Sequence, residues 1–508
     1  MKVLLINPWL TLREDIRLYP VEPLGLLYLA TYSCKKIIEN KSDIKIHILD
    51  AQLEGANKAL KVKEGFRSGM DNASFREFLK LLEPEVVGLS NKFTSHTTDV
   101  LEMAEIIKEL FPSTIVILGG VNATLAHREL IDNQNIDIVV RNEGEETFWQ
   151  ILKSIYNKQS FNSVLGSTVR NRLQEVTVNP NRAFIDNLDE IPIPDRSLVD
   201  YARYINNDRL YFTTKNKPVG TIISSRGCVF DCVFCSTKAM WQQKWRGRTP
   251  ANVVDEIEYL ANNYKIKEIA FQDDQFLFDN QRIVDICREI RRRKLKITFI
   301  VPSGVSPSLL KKETADEMVA SGFYRIALSI DSGTEKSISF IKKPLILKQM
   351  RSLVKYLNKK GLWTYATFVI GFPDETKNDI QETINFAYNL KVDFLRFYVA
   401  QPYPGSRLYE IYVKRGFIKE KKSQEFWDNS SIYDSTIGTD FVSGKELEQL
   451  RTAAESKYLK GKFIDVFNLS YIFEEFIPKI NSWGKFNYFL SLLGQLWRLD
   501  KARGFTLE

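Results

Sequence analysis

The 508-residue sequence predicts an α/β protein: a doubly wound, flavodoxin-like domain, then a partial (βα)6 barrel, then a mostly helical C-terminal region. Short apolar runs alternate with longer amphipathic runs over residues 1–155, and do so again over 213–415. Apolar strands separated by helices imply parallel sheets covered by helices on both faces. Punctuation separates the two series. A connector over 156–212 contains LDEIPIPDRSL, where Pro192 and Pro194 forbid a continuous helix. Residues 416–508 are mixed in composition, carry Trp427, Trp483 and Trp497, and read as a cap or substrate region.

In the first series, KVLLIN (2–7) reads as a buried strand and PLGLLYLATYSCKKIIE (23–39) as a helix. DIKIHIL (43–49), EVVGLS (85–90), TIVILGG (114–120) and DIVV (137–140) complete a set of five strands, which suits a doubly wound sheet. TTDVLEMAEIIKELF (97–111) places apolar residues at helical spacing. The second series has six strands: GTIIS (220–224), KEIAF (267–271), KITFIV (296–301), YRIALSI (324–330), WTYATFVI (363–370) and DFLRFYV (393–399). Six βα units are too few for a closed eight-fold barrel, so the expected form is open, with its site at the carboxyl ends of the strands. Thr249-Pro250 predicts an N-cap and a first-turn proline, and Ser306-Pro307 predicts the same for a later helix. Gly322 and Gly361 stand where helices stop.

Composition narrows the function. Hydrophobic residues make up 44% and charged residues 26%, both ordinary for a globular protein. The net charge of +8 is spread along the chain, and no basic run is dense enough to predict a nucleic-acid partner. RRRK (291–294) reads as the solvated end of a helix. MKVLLINPWL is too short in its apolar part for a signal peptide, and no run reaches the length of a membrane span. FNYFLSLLGQLWRL (486–499) reads as a packed or amphipathic helix, with peripheral lipid contact as the alternative.

Five cysteines are too few for a disulfide framework in a chain of this length, so the expected compartment is the reducing cytoplasm. Cys34 and Cys287 lie in helical patterns and read as small buried hydrophobes. The other three form the row GCVFDCVFC: Cys228, Cys232 and Cys235, spaced C-x3-C-x2-C after the first strand of the second series. A structural zinc site needs four ligands, but no fourth cysteine is near and no histidine follows His127. Three thiolates can hold three irons of a four-iron cluster, which leaves the fourth iron open to a small molecule.

The row resembles the cysteine loop of the radical S-adenosylmethionine (SAM) superfamily. That resemblance implies a 4Fe–4S cluster on Cys228, Cys232 and Cys235, whose open iron binds SAM, with the aromatic Phe234 against the adenine. Other runs resemble the family's motifs in order. FQDDQF (271–276) stands at the SAM-amino motif and offers Gln272, Asp273 and Asp274 in place of the usual Gly-Gly-Glu. SIDSG (329–333) carries Asp331 where glutamate is usual, FVIGFPDET (368–376) carries Gly371 and Pro373, and PYPGS (402–406) resembles a closing motif. Ser303, after the third strand, joins the implied SAM contacts, whereas Lys342 and Lys343 read as a solvated face.

The first series resembles the cobalamin-binding domain that precedes the barrel in one large subgroup. EPLGLLYLA (22–30), VVGLSN (86–91), LGGVNAT (118–124), RNEGEETF (141–148) and the connector carry the likeness. It implies cobalamin contacts at Ser90, Gly119, Gly120, Asn122, Gly144 and Glu145. The D-x-H-x-x-G signature is absent: Asp50-Ala51-Gln52 has no histidine, so a bound corrinoid is expected without a histidine lower ligand.

The resemblance implies cobalamin-dependent methylation of an unactivated carbon in a small-molecule, lipid or peptide substrate, with electrons from a flavodoxin or ferredoxin. The alternatives are a radical cyclisation, ring rearrangement or oxidation without methyl transfer, and a non-enzymatic corrinoid or iron–sulfur sensor.

Overall fold

The computed structural model describes residues 1–12, 21–55, 60–62, 65–171, 173–206, 214–418, 437–465 and 479. Trp427, Trp483, Trp497 and the 486–499 run lie outside the described residues. The chain forms two compact units: residues 1–204 with 235–242 and 402–431, and residues 205–234 with 243–401 and 432–508.

The first unit is built on β1 (Lys2–Asn7), β2 (Lys45–Asp50), β3 (Val86–Ser90), β4 (Ile115–Gly119), β5 (Ile138–Val140), β6 (Ser167–Arg170) and β7 (Val176–Val178). Their order across the sheet is β2-β1-β3-β4-β5-β6-β7. The first five run parallel, and β6 and β7 extend the edge antiparallel from within the connector. The order 2-1-3-4-5 is the flavodoxin-like one, and it places a topological switch point between β1 and β3.

Alternation along β1 explains the two faces. Leu4 and Ile6 join a core with helices Asn72–Leu82 and Thr97–Leu110, while Val3 and Leu5 join a core with helices Leu24–Glu39 and Glu145–Tyr156. A strand buried on both sides must be apolar through its middle, as KVLLIN is from Val3 to Ile6.

The second unit carries β8 (Val219–Ile222), β9 (Glu268–Phe271), β10 (Thr298–Val305), β11 (Phe323–Asp331), β12 (Trp363–Ile370) and β13 (Phe394–Val399). All six pair in parallel and in chain order, giving an open sheet. Phe271, Phe276, Phe299 and Phe323 pack ring on ring at centroid distances of 4.6 to 6.1 Å. The last described helix, Gly444–Asp465, lies against β13, where Glu455 pairs with Arg396 at 3.0 Å.

Local signals succeed where a side chain closes a hydrogen bond. Thr249 accepts from the Asn252 N–H and starts helix Pro250–Tyr264. Ser306-Pro307 does not start a helix as expected: Ser306 makes no cap bond, Pro307–Leu309 is a single 3-10 turn, and the α-helix begins at Lys312. Cys287 is buried, and its thiol pKa is pushed up to about 12 by that burial. Cys34 corrects the expectation, since it is only half-buried. RRRK does end helix Asn280–Arg292, but its arginines are ion-paired, Arg291 with Glu317 and Arg293 with Asp255, Glu258 and Glu289. Among the described residues no helix is long and apolar enough to cross a membrane.

Candidate functional site

In the second unit the loop leaving β8 is fixed from below. Asp273, just past β9, is 1% exposed and accepts from the Ser224 N–H at 2.8 Å, the Ser224 hydroxyl at 2.6 Å and the Ser225 hydroxyl. Burial pushes its carboxyl pKa up, while the serine donors pull the other way. Arg282 donates to the backbone carbonyls of Arg248 and Ser224, so the same turn is held by a second side chain. These bonds commit Asp273 to holding the loop. Its neighbours differ: Asp274 is exposed and accepts from the Gly227 N–H at 3.1 Å, and Gln272 is half-buried with Oε1 3.5 Å from the Ser303 hydroxyl. Gln272, Asp274 and Ser303 therefore present polar atoms at the carboxyl edge of β9 and β10, where a parallel αβ sheet keeps its ligands.

Cys228, Cys232 and Cys235 follow the held turn. All three are half-buried, and none is in a disulfide. Cys235 Sγ donates to the Thr237 hydroxyl oxygen at 2.9 Å and accepts from the Thr237 N–H at 3.4 Å. Among the described residues no three His, Cys, Asp or Glu side chains are gathered to hold a metal ion. The fit to an iron–sulfur cluster therefore rests on donor chemistry: three accessible thiols in one loop, with no competing disulfide.

Phe234 packs on Phe372, with ring centroids 5.9 Å apart. Phe372 lies between Gly371, which has φ +90°, and Pro373 in the turn after β12. Asp331 closes β11 with φ +68° and is buried. It pairs with Lys343, also buried, so that lysine is no part of a solvated face. Lys342 instead caps helix Glu335–Ile341.

In the first unit the switch point is lined by the ends of β1, β2 and β3. Asn7 donates to Asp50 at 3.0 Å, and the Tyr204 hydroxyl donates to the same carboxylate at 2.7 Å. Asp50 also accepts from the Leu53 N–H and starts the short helix Ala51–Glu54, which buries Gln52. Ser90 ends β3 half-buried. Gly120 follows β4 with φ +111°, and a Cβ there would lie 2.6 Å from the Asn91 carbonyl oxygen, so only glycine lets the two turns approach. Gly119 has open space where its side chain would be.

Asn122 is 2% exposed and braced at both ends of its amide. Nδ2 donates to Asn91 at 3.2 Å and to Thr97 at 3.0 Å, and Oδ1 accepts from Thr94 at 2.9 Å. Gly144 and Glu145 open helix Glu145–Tyr156, and the Glu145 side chain is buried. His96 is half-buried after β3, and burial together with the Lys92 cation pushes its pKa down to about 4, so the ring is neutral near pH 7.

Several motif residues tie the connector to the sheet. Glu22 pairs with Arg196 at 3.3 Å, the Glu143 carboxylate accepts from the Ile185 N–H at 2.9 Å, and the Thr31 hydroxyl accepts from the Asp195 N–H at 2.8 Å. Sequence reasoning missed this framework, together with the Asn91–Asn122–Thr97 network and the Asp50–Tyr204 bond. Their partners lie 25 to 174 residues apart, and no short motif records such a distance.

Comparison with known proteins adds the family context. The radical SAM superfamily model matches residues 222–387, and the B12 binding domain model matches residues 17–152. An uncharacterized methyltransferase of Pyrococcus horikoshii is 30% identical over 449 residues, covering 88% of this chain and 90% of its own length. The cytidylyl-2-hydroxyethylphosphonate methyltransferase of Streptomyces wedmorensis is 29% identical and covers 83% of each chain. An anaerobic magnesium-protoporphyrin IX monomethyl ester cyclase of Rubrivivax gelatinosus is 25% identical over 66% of this chain and 60% of its own. In fold, the chain resembles the radical SAM methyltransferase TsrM of Kitasatospora setae, solved with cobalamin and a [4Fe–4S] cluster, with a TM-score of 0.66 at 17% identity over 83% of this chain and 79% of that one.

Proposed function

Because the chain belongs to the radical SAM superfamily, in the branch that carries a B12-binding domain, we propose that it methylates an unactivated carbon of a small-molecule substrate. When bound, a four-iron cluster supplies the electron that splits SAM into methionine and a 5′-deoxyadenosyl radical, and cobalamin supplies the methyl group. The chain's own residues hold and orient these groups. Cys228, Cys232 and Cys235 act as the cluster thiolates. Asp274 and Gln272 present acceptors for the SAM ammonium group, with Ser303 beside them. Asp273 and Arg282 keep the cysteine loop in place. Phe234 and the Gly371–Pro373 turn offer the adenine a flat apolar face and close backbone. Ser90 at the end of β3 and Gly119 and Gly120 at the end of β4 offer a corrinoid backbone at the carboxyl edge of the sheet, beside the switch point and without a histidine at the Gln52 position.

The observation that carries this reading is the cysteine row, placed on the loop after the first strand of a six-stranded parallel sheet. A flavodoxin or ferredoxin is the electron donor we assign, and the cytoplasm the setting, in keeping with the free thiols. For the 486–499 run, outside the described residues, a packed or amphipathic helix is the reading and peripheral lipid contact its alternative. The cyclase-named relative favours one second reading, radical ring chemistry without methyl transfer.

The test is anaerobic incubation of the reconstituted chain with methyl-labelled SAM, hydroxocobalamin and a low-potential reductant. Formation of both S-adenosylhomocysteine and 5′-deoxyadenosine is expected. Deoxyadenosine alone would favour the second reading over methylation.

A further inference from the structure

Glu375 is 2% exposed, yet its carboxylate faces three donors. Oε2 accepts from the Gly371 N–H at 2.7 Å and the Phe372 N–H at 3.1 Å, and Oε1 accepts from the Ser337 hydroxyl at 2.6 Å. These backbone groups stand just past the end of β12, and the carboxylate supplies the acceptor they need. A carboxylate receiving several N–H and O–H bonds holds its donors more firmly than a neutral acceptor does. Burial pushes the Glu375 pKa up, and the three donors oppose that shift.

The bonds of Glu375 join parts of the second unit that the mechanism needs in register. Ser337 sits on helix Glu335–Ile341, and the carbonyl of Ile341 accepts from the Val233 N–H at 3.0 Å, between Cys232 and Phe234. Phe340 from the same helix packs on Phe372 at 5.8 Å, and Phe234 packs on Phe372 at 5.9 Å. The Thr439 hydroxyl also donates to the Glu375 carbonyl at 2.9 Å, and the Asp440 N–H donates to the Pro373 carbonyl at 2.9 Å. Gly371 admits Leu447 so closely that a Cβ there would lie 2.7 Å from Leu447 Cδ1.

We propose that Glu375 is a positioning residue for SAM: its buried carboxylate sets the Gly371–Pro373 turn and, through Phe372, the ring of Phe234 that meets the adenine. The proposal rests on the SAM reading above. Glu375 touches no substrate. It acts through the two backbone N–H groups it holds, and the 439–447 segment braces the same turn through bonds of its own.

The experiment compares full-length, reconstituted wild type with Glu375→Ala, Glu375→Asp and Glu375→Gln. It reads the KM for SAM and the maximal rate at which deoxyadenosine forms, together with bound iron and melting temperature. Glu375→Asp withdraws the carboxylate by one methylene, so KM rises about tenfold, the size of one lost charge-assisted hydrogen bond. Glu375→Ala raises it at least as far. In both, the maximal rate at saturating SAM and the bound iron stay near wild type. Glu375→Gln rescues in part, because its amide oxygen can still accept from Gly371 and Phe372, now without the charge, while its NH2 donates to the Ser337 oxygen. Wild-type KM in the Asp and Ala variants overturns the proposal. So does a joint loss of SAM binding, iron and melting temperature in both, which would make Glu375 a mere prop of the fold. If wild type itself neither binds nor cleaves SAM, the SAM reading fails and takes the proposal with it.

Discussion

Asp99 shows how a single buried group reports on the fold around it. It is 3% exposed on helix Thr97–Leu110 and accepts from the Thr11 N–H at 2.8 Å and the Thr11 hydroxyl at 2.6 Å. Burial pushes its pKa up to about 6, above the unfolded value of 3.8. A carboxyl whose folded pKa is raised contributes stability that is full below the unfolded pKa and is lost as pH rises through the folded one. Wild type should therefore lose ~1–3 kcal/mol relative to Asp99→Asn as pH climbs from about 4 to about 6.5. Urea melts of both proteins across that range check it, and parallel stability curves would contradict it.

At the scale of elements, the turn after β4 makes a sharper prediction. Gly120→Ala forces a left-handed backbone on alanine and drives its Cβ against the Asn91 carbonyl, 2.6 Å away. The cost is ~1–3 kcal/mol, read as a lower melting temperature. Retention of hydroxocobalamin through desalting should fall with it, because the same turn is the backbone edge assigned to the corrinoid. A variant that melts earlier but retains corrinoid as wild type does would remove Gly120 from that role.

The five parallel strands of the first sheet and the six of the second were legible because apolar runs between helices have few other solutions, and KVLLIN and WTYATFVI match their strands residue for residue; β6 and β7, inside the expected connector, were not. The antiparallel pairing of Ser225–Gly227 with Trp245–Gly247 was not legible, being three residues on each side and interrupted by the cysteine row and helix Thr237–Trp241. Of the candidate site residues, the cysteines stand out by spacing alone. Asp273 and Asp274 look equivalent in sequence, and burial alone separates the loop holder from the exposed carboxylate. Lys343 looked solvated because its partner Asp331 lies 12 positions away around a helix.

For the molecule as a whole, the chain joins a flavodoxin-order sheet to a six-stranded parallel sheet, and each brings its carboxyl edge to the chemistry assigned to it. The first offers glycine-lined backbone at the carboxyl ends of β3 and β4, the second polar and aromatic groups at its strand ends, beside the loop that carries the three thiols. The most direct measurement is the release of 5′-deoxyadenosine from SAM by the anaerobically reconstituted, reduced chain beside its Cys232→Ser variant. Reductant-dependent release by wild type with none from the variant is the predicted result. A wild type that carries iron yet releases no deoxyadenosine, or a variant that releases it as fast, would contradict the account.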